Sequence, residues 1–276
     1  MGRIERALGR AGHDQNKDRA AESDRILEKQ LQHEQESVGE IGIDFSALPK
    51  IKLNPTELFE QHRVIMAAAD PIASSAYKIL RTRVLQRMRS NGWRTLAITG
   101  TCPNEGKTLT AINLAISMAG DVNTTTALID LDLRRPSIYK YLNHNPRYSI
   151  LDCLHGRSTL EEAMVNPGHE RLGVLMNSQP IENSSETLAS PKMSQLMTQL
   201  KTGSDRIVIF DMPPLSASDD VLAFGPLVDA VLIVTAEGVT QHHTLLHARE
   251  MSQDMNIIGT ILNKSSDKIS NYYYYS

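Results

Sequence analysis

Cysteine is nearly absent from this chain. Cys102 and Cys153 are the only two among 276 residues, too few for a disulfide framework, and no secretory leader is legible at the start, so the expectation is a reducing cytoplasm. Also missing is any apolar run of the ~18–20 residues needed to cross a bilayer; the nearest, Val64 to Leu80, is broken by Asp70-Pro71. A role at a membrane would need another protein to bring the chain there. The net charge of −3 and isoelectric point near 6.3 leave no domain-wide basic excess, which argues against nucleic acid as a partner. There is no internal repeat, and low complexity is confined to Tyr272-Tyr273-Tyr274-Tyr275.

The length suits one large α/β domain with tails. Residues 1–50 are expected to be a flexible charged arm and linker: they are rich in Arg, Glu, Gln, Lys and Asp and poor in large apolar side chains, a composition that cannot offset ordering entropy. Two pieces, Ile4 to Leu8 and Ile26 to Leu31, carry weak helical periodicity, and Ile41 to Pro55 reads as a linker that begins to dock. Residues 51–266 form the expected domain and 267–276 a flexible tail. Helical periodicity marks Ala73 to Met88, with Lys78, Arg81, Arg83 and Arg87 on its outer side. That basic face fits either an acidic neighbour or plain solvation.

Short, nearly continuous apolar runs occur at Arg94 to Thr99, Thr126 to Leu131, Leu172 to Met176, Arg206 to Phe210, Ala230 to Val234 and Ile257 to Leu262. Runs of this kind suit strands buried on both faces, and helices are expected between them at Ser149 to Leu154, Thr159 to Met164, Pro191 to Lys201, Val221 to Phe224 and Thr240 to Asp254. The pattern predicts a parallel sheet between helical layers.

The first of these runs leads into Gly100-Thr101-Cys102-Pro103-Asn104-Glu105-Gly106-Lys107-Thr108, which opens a helix with an apolar stripe at Leu109, Ile112, Leu114, Ala115 and Met118. It reads as a phosphate-binding loop. Free N–H groups at a helix N-terminus attract anions; Gly106 permits close backbone approach, Lys107 reaches the β- and γ-phosphates, and the Thr108 hydroxyl is placed to ligate Mg²⁺. Five residues separate Gly100 from Gly106 where the standard pattern has four, so a tight turn with a surface lysine is the alternative. Cys102 in this loop is a candidate for oxidation, with an inert loop residue favoured.

In parallel sheets, ligands bind beyond the carboxyl ends of strands. One strand there runs into Asp130-Leu131-Asp132-Leu133-Arg134-Arg135-Pro136 and another ends in Asp211-Met212-Pro213-Pro214. The carboxylates suit Mg²⁺ or a proton from an attacking hydroxyl, and the arginines suit phosphate; ordinary turns are the competing account. The last strand ends in Asn263, whose amide can read a purine edge or simply turn the chain.

Together these stretches resemble the bacterial tyrosine kinases (BY-kinases) of capsule and exopolysaccharide export. The resemblance covers about residues 70 to 276 and rests on Thr99 to Thr108 as a Walker A of the family's longer spacing, Leu128 to Pro136 as Walker A′, and Phe210 to Pro214 as Walker B. Asn183-Ser184-Ser185-Glu186-Thr187-Leu188 resembles the family's Asn-Pro-Ser-Glu-Leu-Leu, and the tyrosine run its autophosphorylation cluster. It implies a three-layer P-loop NTPase fold with a mostly parallel central sheet flanked by helices. It further implies ATP- and Mg²⁺-dependent phosphorylation of Tyr272, Tyr273, Tyr274 and Tyr275 in trans, controlling polymer export. Pro103 to Leu109, Arg134 and Asn263 would contact the nucleotide, Thr108, Asp130 and Asp211 the metal, and Lys107, Asp130, Asp132 and Asp211 would carry catalysis. The implied partners are other copies of the chain, the cytoplasmic tail of a membrane chain-length regulator as activator, and a cognate tyrosine phosphatase, with the kinase held at the inner membrane face. The chain departs from the family's ring-forming Glu-x-x-Arg-x-x-Arg at Ser75, with Lys78 and Arg81 following. A partition- or division-site ATPase and an inactive nucleotide-binding scaffold are the alternatives; the former carry a second lysine where this chain has Cys102.

Overall fold

The computed structural model describes residues 43–66, 70–203 and 205–266. The expected arm segments Ile4 to Leu8 and Ile26 to Leu31, and the tyrosine run, lie outside them. In chain order the elements are α1 (Pro55–His62), α2 (Pro71–Ser90), β1 (Thr95–Gly100), α3 (Lys107–Ala119), β2 (Thr125–Asp130), α4 (Ile138–Tyr141), α5 (Ile150–Leu154), α6 (Leu160–Ala163), β3 (Leu172–Leu175), α7 (Ser184–Leu188), α8 (Pro191–Lys201), β4 (Arg206–Asp211), α9 (Asp220–Phe224), β5 (Ala230–Ala236), α10 (His242–Met251) and β6 (Ile257–Asn263).

All six strands are parallel, in the order β3-β2-β4-β1-β5-β6. Alternate residues of each strand enter opposite cores, as the pleat requires. Leu96, Ile98, Leu128 and Ile209 join α2 and α3 on one face, while Ala97, Ile129, Val208 and Phe210 join α6, α8 and α9 on the other. The strands fall within two residues of the apolar runs because burial on both faces keeps charged side chains out of their interiors, where the polar residues are threonines such as Thr99, Thr126 and Thr235. β6 is the exception. As an edge strand its exposure varies along its length, and Ile257 and Leu262 face solvent.

The helices begin where local chemistry dictates. Asp70 caps α2 by accepting from the Ala73 N–H at 2.9 Å, with Pro71 at the first helical position and no intrahelical partner needed for its missing N–H. The same pairing of cap and proline starts α1 at Asn54-Pro55 and α8 at Ser190-Pro191.

Residues 43–48, expected in the linker, are packed into the core through Ile43, Phe45 and Leu48. Gly173 makes room for them, since a Cβ there would sit 2.9 Å from the Phe45 ring and 2.8 Å from Leu48. Arg206, buried at the start of β4, donates to the Ile43 carbonyl at 3.0 Å and lies 4.9 Å from the Phe45 ring centroid, so its charge is met by a carbonyl and a π face.

Beneath the carboxyl edge of the sheet, Phe210 and Phe224 meet edge to face with centroids 5.0 Å apart. That contact fixes α9 against β4. Both rings are essentially fully buried, so Phe224→Ala should cost about 3–5 kcal/mol through lost burial and a residual cavity. Urea unfolding of the variant beside wild type measures this, and a loss below about 1 kcal/mol would contradict the packing described.

Candidate active site

The loop from Thr101 to Gly106 joins β1 to α3 over the carboxyl edge of the sheet. Its path needs positive φ at Asn104 (66°) and Gly106 (90°). At Gly106 a Cβ would also collide with the Asn263 amide, so glycine is required twice over.

Glu105 shows what the extra residue in the loop does. Its buried carboxylate folds under the loop and accepts from the Thr101 N–H at 2.6 Å, the Thr101 hydroxyl at 2.5 Å, the Cys102 N–H at 3.0 Å and the Thr240 hydroxyl at 2.5 Å. Burial opposes ionisation, but these donors prevail and hold its pKa below the usual carboxylate value. Glu105 was expected among the residues that contact the nucleotide, and with its side chain engaged by the loop only its backbone N–H is left for that contact. From β6, the Asn263 amide donates to the Glu105 carbonyl at 2.8 Å and Lys264 Nζ to the Asn104 carbonyl at 2.7 Å. The Asn263 carbonyl oxygen in turn accepts from the Lys264 N–H, so both ends of the amide expected to read a purine are engaged by the protein. Burial and Glu105 raise the Cys102 thiol, which favours the inert reading over a reactive thiolate.

A cavity of about 480 Å³ opens beside the loop, lined by Pro103, Asn104, Gly106, Lys107 and Thr108 on one side and by residues after β2 and β4 on the other. Leu109 instead packs among the apolar side chains of the α2–α3 core, leaving only its backbone near the helix start. Lys107 is only 8% exposed, and its charge lowers the pKa values of both Asp132 and Asp211 against the larger effect of burial.

The three expected aspartates separate by environment. Asp130 and Asp211 are register partners at the ends of β2 and β4, and neither is exposed. Asp130 accepts from the N–H groups of Asp132 at 3.2 Å, Ser137 at 3.0 Å and Ile138 at 3.1 Å. These bonds occupy both oxygens and fold the loop into α4, so Asp130 braces the loop where a metal grip was expected. Burial and the neighbouring Asp211 push its pKa well above the carboxylate range. Asp211 has no hydrogen-bond partner on either oxygen. Burial raises it to about 7, opposed by the nearby Thr108 hydroxyl and Lys107; that hydroxyl lies 3.1 Å from the Ser137 hydroxyl. Asp132 lines the cavity, with Oδ1 accepting from the Arg135 N–H at 3.1 Å, and burial raises its pKa.

Two bare, buried carboxylate oxygens beside a hydroxyl on a phosphate loop suit a hard cation. Among the described residues no group of three or more His, Cys, Asp or Glu side chains is placed to hold a metal by itself. An ion at Asp211 and Thr108 would thus take its other ligands from phosphate and water, which is the usual habit of Mg²⁺.

Arg134 also lines the cavity, donating from Nε to the buried Ser184 hydroxyl at 2.7 Å. Arg135, Pro213 and Pro214 of the two aspartate motifs line it as well, and the wall is completed by Ser137, Tyr141, Ala217 and Ser218 from outside them. The spacing of the motifs gave no sign of these. Tyr141 is set in place by the short α4 and touches the His62 ring of α1 at 5.5 Å, so two helices missing from the sequence reading meet at the site.

A phosphate loop opening a helix at the end of a central parallel strand, with an unpartnered aspartate on the adjoining strand, defines the P-loop NTPase fold. No family model matches the chain. The tyrosine-protein kinase YwqD of Bacillus subtilis is 28% identical over 228 residues, covering 82% of this chain and 95% of that protein. The succinoglycan biosynthesis transport protein ExoP of Rhizobium meliloti is 28% identical over 209 residues, or 74% of this chain. The chain spans nearly the whole of YwqD but only 26% of ExoP. Among solved structures, the kinase domain of the Escherichia coli tyrosine kinase ETK superposes with a TM-score of 0.68 at 27% identity, covering 84% of this chain and 93% of that domain. By sequence and fold the chain is a homologue of the bacterial tyrosine kinases.

The Asp211 environment has a measurable consequence. In metal-free protein, its carboxyl ionises less readily folded than unfolded, so its contribution to stability is complete below about pH 4 and is lost as pH rises through about 7. Asp211→Asn removes this titration. In metal-free urea melts the variant should match wild type near pH 4 and be the more stable of the two at pH 8. Parallel pH dependence of the two proteins would exclude Asp211 as the titrating group.

Proposed function

We infer that the chain is an ATP-dependent protein-tyrosine kinase that phosphorylates the tyrosines of its own C-terminal cluster and acts in exopolysaccharide or capsule export. The single observation that carries the catalytic reading is Asp211: a fully buried carboxylate with no well-formed hydrogen bond on either oxygen and the Thr108 hydroxyl of the phosphate loop close enough to lower its pKa. Leaving such a group bare is costly, and a magnesium-nucleotide removes the cost.

The residues divide the work as follows. The N–H groups opening α3, together with Lys107, bind the phosphates, while Thr108 and Asp211 hold Mg²⁺. When bound, the ion neutralises charge on the phosphate oxygens. Asp132 is the base. It lines the cavity and its pKa is raised by burial, whereas Asp130 is occupied by backbone donors. A phenol with pKa ~10 is protonated at neutral pH. Its oxygen attacks the γ-phosphorus as its proton passes to Asp132, the bond from phosphorus to the β–γ bridging oxygen breaks, and ADP leaves.

Four of the chain's eight tyrosines lie in its last five residues, the natural acceptors. The similarity to ExoP, a succinoglycan biosynthesis transport protein, supports a place at the inner membrane face through the cytoplasmic tail of a chain-length regulator. Phosphorylation between copies, with a cognate phosphatase to reverse it, completes the reading.

Incubation with Mg²⁺-ATP, alone and with candidate regulator tails, should yield phosphate on Tyr272 to Tyr275 by mass spectrometry. Lys107→Met should reduce it by at least about a hundredfold, a transition-state loss near 2.7 kcal/mol. Nucleotide binding without any tyrosine phosphate under these conditions would favour a switch ATPase or a scaffold.

A further inference from the structure

The segment Asn183 to Leu188 matches a motif but has no part in the chemistry above. Its second residue, Ser184, is fully buried and begins α7, which packs against α9. The Ser184 hydroxyl accepts from Arg134 Nε at 2.7 Å and donates to Asp220 Oδ1 at 2.7 Å. Asp220, the first residue of α9, is itself fully buried, and its second oxygen has no hydrogen-bond partner. Arg134 Nε lies 3.7 Å from the same Asp220 oxygen, and Nη2 lies 3.6 Å from the exposed Asp219. Asp219, being open to water, holds the guanidinium weakly.

We propose that Ser184 and Asp220 are positioning residues that fix Arg134 on the terminal phosphate of a bound nucleoside triphosphate. This rests on the kinase reading of the same cavity for its biological use, but the geometry concerns binding alone. An arginine side chain with several free rotors loses conformational entropy when ordered. Here Nε is secured from behind by a buried hydroxyl and a buried carboxylate, while the residue still lines the cavity. Its remaining donors are thus held for an anion without further ordering.

The strand order sets which phosphate this is. β1 carries the phosphate loop, β5 and β6 lie to one side of it, and β4 and then β2 lie to the other. Asn263 and Lys264 of the β6 end press on the loop from the first side. Asp211 and then Arg134 follow β4 and β2 on the second. A phosphate chain that begins at the loop and runs past Asp211 therefore presents its last group to Arg134. A diphosphate ends short of it.

Calorimetry with Mg²⁺ and either ADP or the non-hydrolysable imido analogue of ATP separates these terms. Wild type should prefer the triphosphate. Ser184→Ala and Asp220→Asn should each reduce triphosphate affinity about tenfold, the value of one charge-assisted contact, with ADP affinity changed less than about twofold. Ser184→Thr, which keeps a hydroxyl, should restore most of the preference. Arg134→Ala should show the same loss, and adding Ser184→Ala to it should cost nothing more, because the two act as one unit. Equal affinity of wild type for both nucleotides, a parallel fall in both affinities, or a full additional loss in the double variant would each overturn the proposal. Urea melts guard against global effects. Should Asp220→Asn unfold, Ser184→Ala and the double variant decide the matter. If the triphosphate preference behaves as expected while wild type places no phosphate on tyrosine, the relay stands and the kinase reading falls.

Discussion

Two carboxylates side by side at the ends of adjoining strands are the constraint from which the site follows. Asp130 and Asp211 share a register position on β2 and β4 and are both removed from water. Like charges so placed cannot both ionise freely, and the fold resolves the conflict unequally. Asp130 receives three backbone N–H groups, which turn the chain after β2 into α4 and bring Asp132, Arg134 and Tyr141 to the cavity. Asp211 receives none, and its pKa rises to about 7. One acid organises the protein, and the other remains available to a ligand that carries positive charge.

The phosphate loop is shaped by a comparable division. The carboxylate of Glu105 consumes the N–H groups of Thr101 and Cys102, so the anion cradle is left to the groups that open α3. Thr240 ties that carboxylate to the turn between β5 and α10, and Asn263 and Lys264 tie the loop's carbonyls to the end of β6. The loop between Gly100 and Gly106 is thus pinned from the β5–β6 side of the sheet.

How much of this could be read beforehand depended on the range of the interaction. Strands buried on both faces announce themselves as apolar runs, and a glycine before a lysine announces an anion site, because both signals lie within a few residues. The sequence also carries a capped, proline-initiated start at Asn54-Pro55, but α1 shows no apolar stripe to mark it, since only Leu58 of its eight residues is buried. The roles of the aspartates were not legible. Asp130 and Asp132 look alike in the chain, and only the return of Ser137 and Ile138 onto Asp130 separates the acid that braces the loop from the acid that lines the cavity. Ser184 and Asp220 were beyond reach for the same reason, being joined to Arg134 across 50 residues and, through the serine, a further 36.

The end of the described chain bears on how tyrosines meet the site. After β6, Lys264 turns through a positive φ of 56° and grips the Asn104 carbonyl, Ser266 donates to the Glu237 carboxylate, and the backbone N–H of Glu237 donates to the Asn263 carbonyl. The described residues thus end beside the phosphate loop, held to it through Lys264. Tyr275 follows Ser266 by nine residues, a reach of at most about 30 Å, which bounds the distance between the acceptors proposed above and the cavity of the same copy. Tethering at this length raises the local concentration of acceptor to the millimolar range. Acceptor recognition then demands little intrinsic affinity, which suits a run of identical residues whose individual members offer the enzyme no sequence to distinguish them.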